Sequence, residues 1–131
     1  LSYRPQNSPY PVILNGDMSQ ATLTSDVTII QKVSMMSYGY SWAGSTPVGT
    51  ISVEVSNDYA LNADGTVKNA GTWNVLVLNV GGSPVTSVSV SGNTGNGFID
   101  IDQLGAYAIR TIYTKGSGTG TLQAIFTGKV A

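Results

Sequence analysis

Apolar and polar residues alternate along most of this chain with the two-residue period of a β-strand. The clearest case is TISVEVSN, where Ile51, Val53 and Val55 fall on one side and Ser52, Glu54 and Ser56 on the other. That pattern predicts a half-buried strand with one wet face. AYAIRTIYT (106–114) is the strongest strand signal, rich in β-branched and aromatic residues. FIDID, VTSVSVSG and TLQAIFTGK alternate in the same way. WNVLVLNV (73–80) predicts a strand buried on both faces. Over 27–42 the pattern is mixed. In TIIQKVSMM, Ile29, Ile30, Val33 and Met36 also fit helical spacing, but the surrounding Thr and Tyr favour strand, with a bulge at Gly39.

Turn residues separate these runs. Asn15-Gly16-Asp17, GSTPVG (44–49), Asp64-Gly65, Gly81-Gly82-Ser83-Pro84 and the glycine clusters at 92–97 and 116–120 all read as turns. The longest loop is 57–72, a length that in a compact domain is functional or mobile. Residues 98–129 then form three closing strands. The count is eight or nine short strands with no convincing helix. It predicts an all-β fold, an antiparallel β-sandwich of jelly-roll type, with a closed barrel as the alternative.

The first residues differ. Pro5, Pro9 and Pro11 exclude helix and disfavour an interior strand. Residues 1–14 therefore read as an extended arm, and 15–131 as a single domain. The bland reading of the arm is a loose tail. Tyr3, Tyr10, Val12, Ile13 and Leu14 favour contact with a neighbouring subunit, since a free tail seldom carries so much apolar surface.

Composition narrows the function. The 131 residues contain no Cys and no His, which removes disulfides, thiolate metal sites and the commonest general base. Only 10% of residues are charged and the net charge is −1, with no basic run to neutralise phosphates, so nucleic acid is not expected as a partner. No apolar stretch approaches the length of a membrane-spanning helix. The N-terminus has no apolar core of signal-peptide type.

Candidate chemistry is sparse. Asp100 and Asp102 share one face of a strand about 6–7 Å apart, a spacing that a glycosidase tolerates. Alternating Asp on such a strand more often faces solvent or pairs with a cation. Arg110 on the following strand is the expected partner of Asp100 or Asp102. Asn57, Asp58, Asn62, Asp64 and Asn69 supply oxygens of the kind calcium takes, but at turn spacing and not EF-hand spacing. No Ser has an activating base, and the glycine clusters do not precede helices as phosphate loops do. Tyr38, Tyr40 and Trp42 would have to be exposed to stack on sugars; core or interface packing is the alternative. No metal, cofactor or catalytic residue is expected.

Four stretches carry a resemblance: NGDMSQATLTS, PVGTISVEVSND, Trp73 after the long loop, and GNGFIDIDQLGAYAIRTIYTKGSGTGTLQAIFTGK. Together they resemble a family of small β-sandwich virion proteins of tailed bacteriophages. Members share a strand ending in Ser-Asn-Asp, a Trp, Ile-Asp-hydrophobic-Asp/Asn-Gln, Tyr-hydrophobic-Arg, Tyr-Thr and Gly-Thr-Gly-Thr-Leu. The similarity covers about residues 15–129. It implies a structural, non-enzymatic role on the virion, such as a capsid decoration (cement) protein on the capsid surface. The implied partners are the major capsid protein and further copies of the same chain in a homo-oligomer. Tyr59 stands where many such proteins have Gly, and an insertion precedes Trp73, so loop 57–72 is where this chain differs. Head, neck and fibre subunits share the architecture, and a carbohydrate-binding role is the rival from another class.

Overall fold

The computed structural model describes residues 9–30, 33, 35–102 and 105–129. Among these residues twelve strands follow one another: β1 (Tyr10–Asp17), β2 (Thr22–Thr24), β3 (Thr28–Ile29), β4 (Met35–Ser56), β5 (Ala60–Leu61), β6 (Val67–Asn69), β7 (Asn74–Val75), β8 (Leu78–Val80), β9 (Ser83–Val85), β10 (Val88–Val90), β11 (Thr94–Asp102) and β12 (Ala108–Lys129). The fold is all-β, with extensive antiparallel pairing.

Two strands of 22 residues, β4 and β12, run antiparallel side by side and form the spine. The other edge of β12 carries β3, β2 and β1 in turn. The other edge of β4 carries β11, β10 and β7. One eight-stranded sheet results, where two separate sheets of short strands were expected. Two small hairpins, β5–β6 and β8–β9, stand beside it.

The expected turns at 44–49 and 116–120 are bends within the long strands, because ladder pairing continues past both. Two register shifts interrupt β12 between Lys115 and Thr119. Opposite them, Thr46 takes a left-handed φ of 49°, and its N–H donates to Asn93 Oδ1 at 2.8 Å. A side chain at Gly118 (φ 80°) would overlap the Thr46 carbonyl, and one at Gly44 would overlap the backbone of Thr119 and Gly120. Glycine is what lets the two strands bend at the same level.

The bend folds the sheet over itself. On β4, inward-facing residues are even-numbered before it (Met36, Tyr38, Tyr40) and odd-numbered after it (Ile51, Val53). On β12 they change from Ile109, Thr111 and Tyr113 to Leu122, Ala124 and Phe126. Each strand thus shifts phase by one residue, the signature of a bulge. Tyr40 and Thr111 show what this achieves. Thr111 lies opposite Val53, thirteen positions from Tyr40 along β4, or about 43 Å in a straight strand. Yet Tyr40 Oη lies 2.9 Å from Thr111 Oγ1 in the interior. The two halves of the sheet therefore face each other across one core. That core holds Met18, Tyr38, Ile51, Val53, Ile109, Tyr113, Leu122 and Phe126, and the Tyr38 ring meets Phe126 edge-on at 5.4 Å.

One further expectation changes, and the preference for strand over helix in 28–36 holds at the described residues. WNVLVLNV does not make a strand buried on both faces. It breaks into β7 and β8, with Leu78 buried and Val75, Val77 and Val80 exposed, because β7 pairs with β4 at only two positions before the chain leaves the sheet. TIIQKVSMM is no helix at its described residues: Thr28–Ile29 form β3 and Met35–Met36 begin β4.

Candidate interaction surface

The segment read as an arm enters the fold early. β1 starts at Tyr10 and pairs with the end of β12, Tyr10 opposite Phe126 and Ile13 opposite Ala124. A register shift between Pro11 and Ile13 turns both Val12 and Ile13 inward, so these two belong to the core of their own chain. Tyr10 (54% exposed) and Leu14 (72%) face solvent. Tyr3 lies outside the described residues.

The outer face of this half of the sheet carries an apolar row. Pro11 stands opposite Ile125, Ile125 opposite Gly39, and Gly39 opposite Phe98. Residues directly opposite point to the same face. Phe98 is 64% exposed and Ile125 is 42% exposed. Gly39 has no side chain to fill the space between them, and a Cβ there would meet nothing within 4 Å. A shallow depression of about 240 Å³ results, lined by Gly39, Ser41, Gly97, Gln123 and Ile125. The flanking rows are small and polar: Asn96–Ser41–Gln123 on one side and Asp100–Ser37–Thr127 on the other. Gln123 and Asn15 lock together through Asn15 N–H to Gln123 Oε1 (2.9 Å) and Gln123 Nε2 to Asn15 Oδ1 (2.6 Å). This pair holds the β1–β12 margin of the face. The alternation of TLQAIFTGK and FIDID marked these outward positions. Which of them share a row could not be read from it.

The ion pair is elsewhere than expected. Arg110 binds Glu54, not Asp100: its Nη2 lies 2.7 Å and its Nε 2.9 Å from Glu54 Oε1. The reason is topological. β11 and β12 are consecutive in sequence but lie on opposite edges of β4, and Asp100 faces Ser37 at the far end of that strand. Asp102 sits further out still, opposite Met35. Arg110 is directly opposite Glu54, and the Trp73 ring covers its guanidinium, with Cζ 4.2 Å from the ring centroid.

This stack anchors the long loop. Asp58 Oδ1 accepts from Thr72 N–H at 2.7 Å and from Ser56 Oγ at 2.8 Å, closing the base of the loop. These bonds, the Thr72 amide above all, hold the Asp58 carboxyl below its ordinary value. Tyr59 packs on Trp73 at 5.8 Å, and Trp73 Nε1 donates to Ala70 O at 2.9 Å. Beyond this base the hairpin β5–β6 projects, with Val67 and Leu61 exposed. Asp64 accepts from Thr66 N–H and Oγ1, and Asn69 from Gly71 N–H, so these oxygens serve as turn acceptors. Among the described residues no group of three or more acidic side chains converges.

The aromatics considered for sugar stacking are mostly interior. Tyr38 and Tyr40 are buried, and burial raises the pKa of both phenols, keeping them protonated. Trp42 is half-buried against Gly95, directly opposite.

No family model and no curated protein matches the chain. A solved structure does: the SPBc2 prophage-derived protein YomS superposes with a TM-score of 0.56 over 97% of both chains, at 11% sequence identity. At that identity the likeness is one of fold, and this chain shares the fold of a prophage-derived protein along nearly its whole length.

Proposed function

We propose that this chain is a structural protein of a bacteriophage particle, a capsid decoration (cement) subunit that binds the outer shell and reinforces it. The observation that carries the reading is the apolar row Pro11–Ile125–Gly39–Phe98, set on an open sheet face between rows of small neutral residues. Such a face suits a broad protein contact: a desolvated apolar centre with a polar, weakly charged rim. Asp100 is the one charge among the described side chains of the two flanking rows, so covering the face desolvates little charge. The fold shared with a prophage-derived protein agrees with this role. The exposed Leu14, next to the inward-facing Ile13, extends the contact along β1. The partners in this reading are the major capsid protein and other copies of the chain, the location is the capsid surface, and no catalysis is involved.

The test is titration of the purified protein onto capsids lacking it, followed by a heat challenge. Saturable binding at a copy number matching the shell lattice, with shells surviving hotter treatment, is the expected result. Ile125→Asp should abolish binding without unfolding the subunit. No binding to capsids, or binding unaffected by that substitution, would remove the cement reading and move the search to tail and neck components.

A further inference from the structure

We propose that two copies of this chain pair edge to edge through β11, extending the sheet across a two-fold axis at Phe98. β11 is nine residues long, and its outer edge pairs with no strand among the described residues. Its register with β4 is unbroken over all nine pairs, and it contains no Pro and no Lys. Of the devices by which soluble proteins blunt an open edge it carries only charge, Asp100 and Asp102, both at its C-terminal end.

The backbone fixes which residues offer hydrogen bonds there. Gly44 N–H donates to Asn93 O at 2.7 Å, so Asn93 and Gly44 are a hydrogen-bonded pair just before the strand. Hydrogen-bonded and non-bonded pairs alternate along an antiparallel ladder. Gly95, Gly97, Ile99 and Ile101 therefore bond to β4. Thr94, Asn96, Phe98, Asp100 and Asp102 point their N–H and C=O groups outward.

A second copy of the same strand fits this edge. Phe98 is the midpoint of Thr94–Asp102. An antiparallel pairing centred there overlaps all nine residues and sets outward-pointing residues opposite one another throughout: Phe98 faces Phe98, Asn96 faces Asp100, and Thr94 faces Asp102. That register forms about ten main-chain hydrogen bonds, the number in an ordinary protein–protein interface. It places no carboxylate directly opposite another. It also brings the two exposed Phe98 rings together on the outer face. The apolar row then runs unbroken from Ile125 of one copy to Ile125 of the other. This pairing rests on the open edge and its register and holds wherever on a particle the subunit sits.

Sedimentation equilibrium of the full chain at low ionic strength tests it, with three variants. The wild type should be a reversible dimer. Phe98→Pro removes an outward N–H without touching a bond to β4, and should be monomeric with an unchanged circular dichroism spectrum. Asn96→Lys faces Asp100 of the second copy and should tighten the dimer. Asn96→Asp should loosen it, each by roughly 3–10-fold in Kd, since each substitution counts twice across the axis. A wild type that stays monomeric at sub-millimolar concentration overturns the proposal. So does a dimer that survives Phe98→Pro. If Phe98→Pro fails to fold, the Asn96 pair decides: opposite shifts support the register, and equal or absent shifts refute it.

Discussion

The folding of the sheet over itself makes a demanding prediction at Tyr40 and Thr111. The Thr111 hydroxyl has one proton, and it goes to Ser52 O at 2.9 Å. Tyr40 Oη must therefore be the donor across the 2.9 Å contact with Thr111 Oγ1, in a site where both residues are almost fully buried. Tyr40→Phe deletes the donor and leaves Thr111 its bond to Ser52, so it should cost about 1 kcal/mol. Thr111→Val keeps the volume but strands the phenolic O–H in the core, which should cost about 2–3 kcal/mol. The double variant strands nothing at this contact. It should be no less stable than Thr111→Val alone, giving a coupling of about 1 kcal/mol or more. Urea titrations followed by the fluorescence of Trp42 and Trp73 supply the four free energies. If the two single costs simply add, the hydroxyls do not meet. Residues thirteen positions apart on the spine would then not face each other, and the folded-over sheet would be wrong.

Other substitutions test other parts of the structure. Arg110→Ala loses both the Glu54 pair and the Trp73 stack and should cost about 1–2 kcal/mol, read as a lowered urea midpoint. Asp100→Asn should change stability by less than about 0.5 kcal/mol, and a larger loss would restore the pairing of Arg110 with Asp100. Gly118→Ala should destabilise by more than about 3 kcal/mol or prevent folding, because the new Cβ overlaps the Thr46 carbonyl, whereas Gly39→Ala enters open space and should fold normally. Acid should loosen the long loop. Asp58 titrates below its ordinary value of 3.8 in the folded chain, so its stabilisation is complete above that pH and is lost as the pH falls through the lower folded value. The Trp73 signal should change on acidification below about pH 4, and Asp58→Asn should flatten that change; an unaltered pH profile in the variant would sink the assignment.

Much of the fold is legible in the chain because strand character is local. The alternation in TISVEVSN and AYAIRTIYT marks which side of each strand meets the core, and the structure buries Ile51, Val53, Ile109 and Tyr113 accordingly. The outward positions of TLQAIFTGK and FIDID were visible in the same way. Other features were not legible, for stated reasons. GSTPVG and GSGTG have turn composition, yet glycine and proline serve equally where two paired strands bend together, and only the pairing separates the cases. The run WNVLVLNV carries the apolar density of a buried strand, but burial needs a covering layer, and the fold provides a full one at Leu78 and a partial one at Leu76.

What the sequence determined by itself is the class of structure and the poverty of its chemistry. Period-two patterning sets side-chain direction within a strand, and a chain without His or Cys carries neither imidazole nor thiol. What only the tertiary structure decided is who stands beside whom. Strand order and register are set by closing contacts between distant segments, so consecutive β11 and β12 end on opposite edges of β4. That order parts Arg110 from Asp100, the β12–β4 register gives it to Glu54, the shifted β1–β12 pairing turns Val12 and Ile13 inward, and the three ladders together align Pro11, Ile125, Gly39 and Phe98 in one row. Local propensity cannot encode such neighbours, because they arise only when the whole sheet assembles and folds over its core.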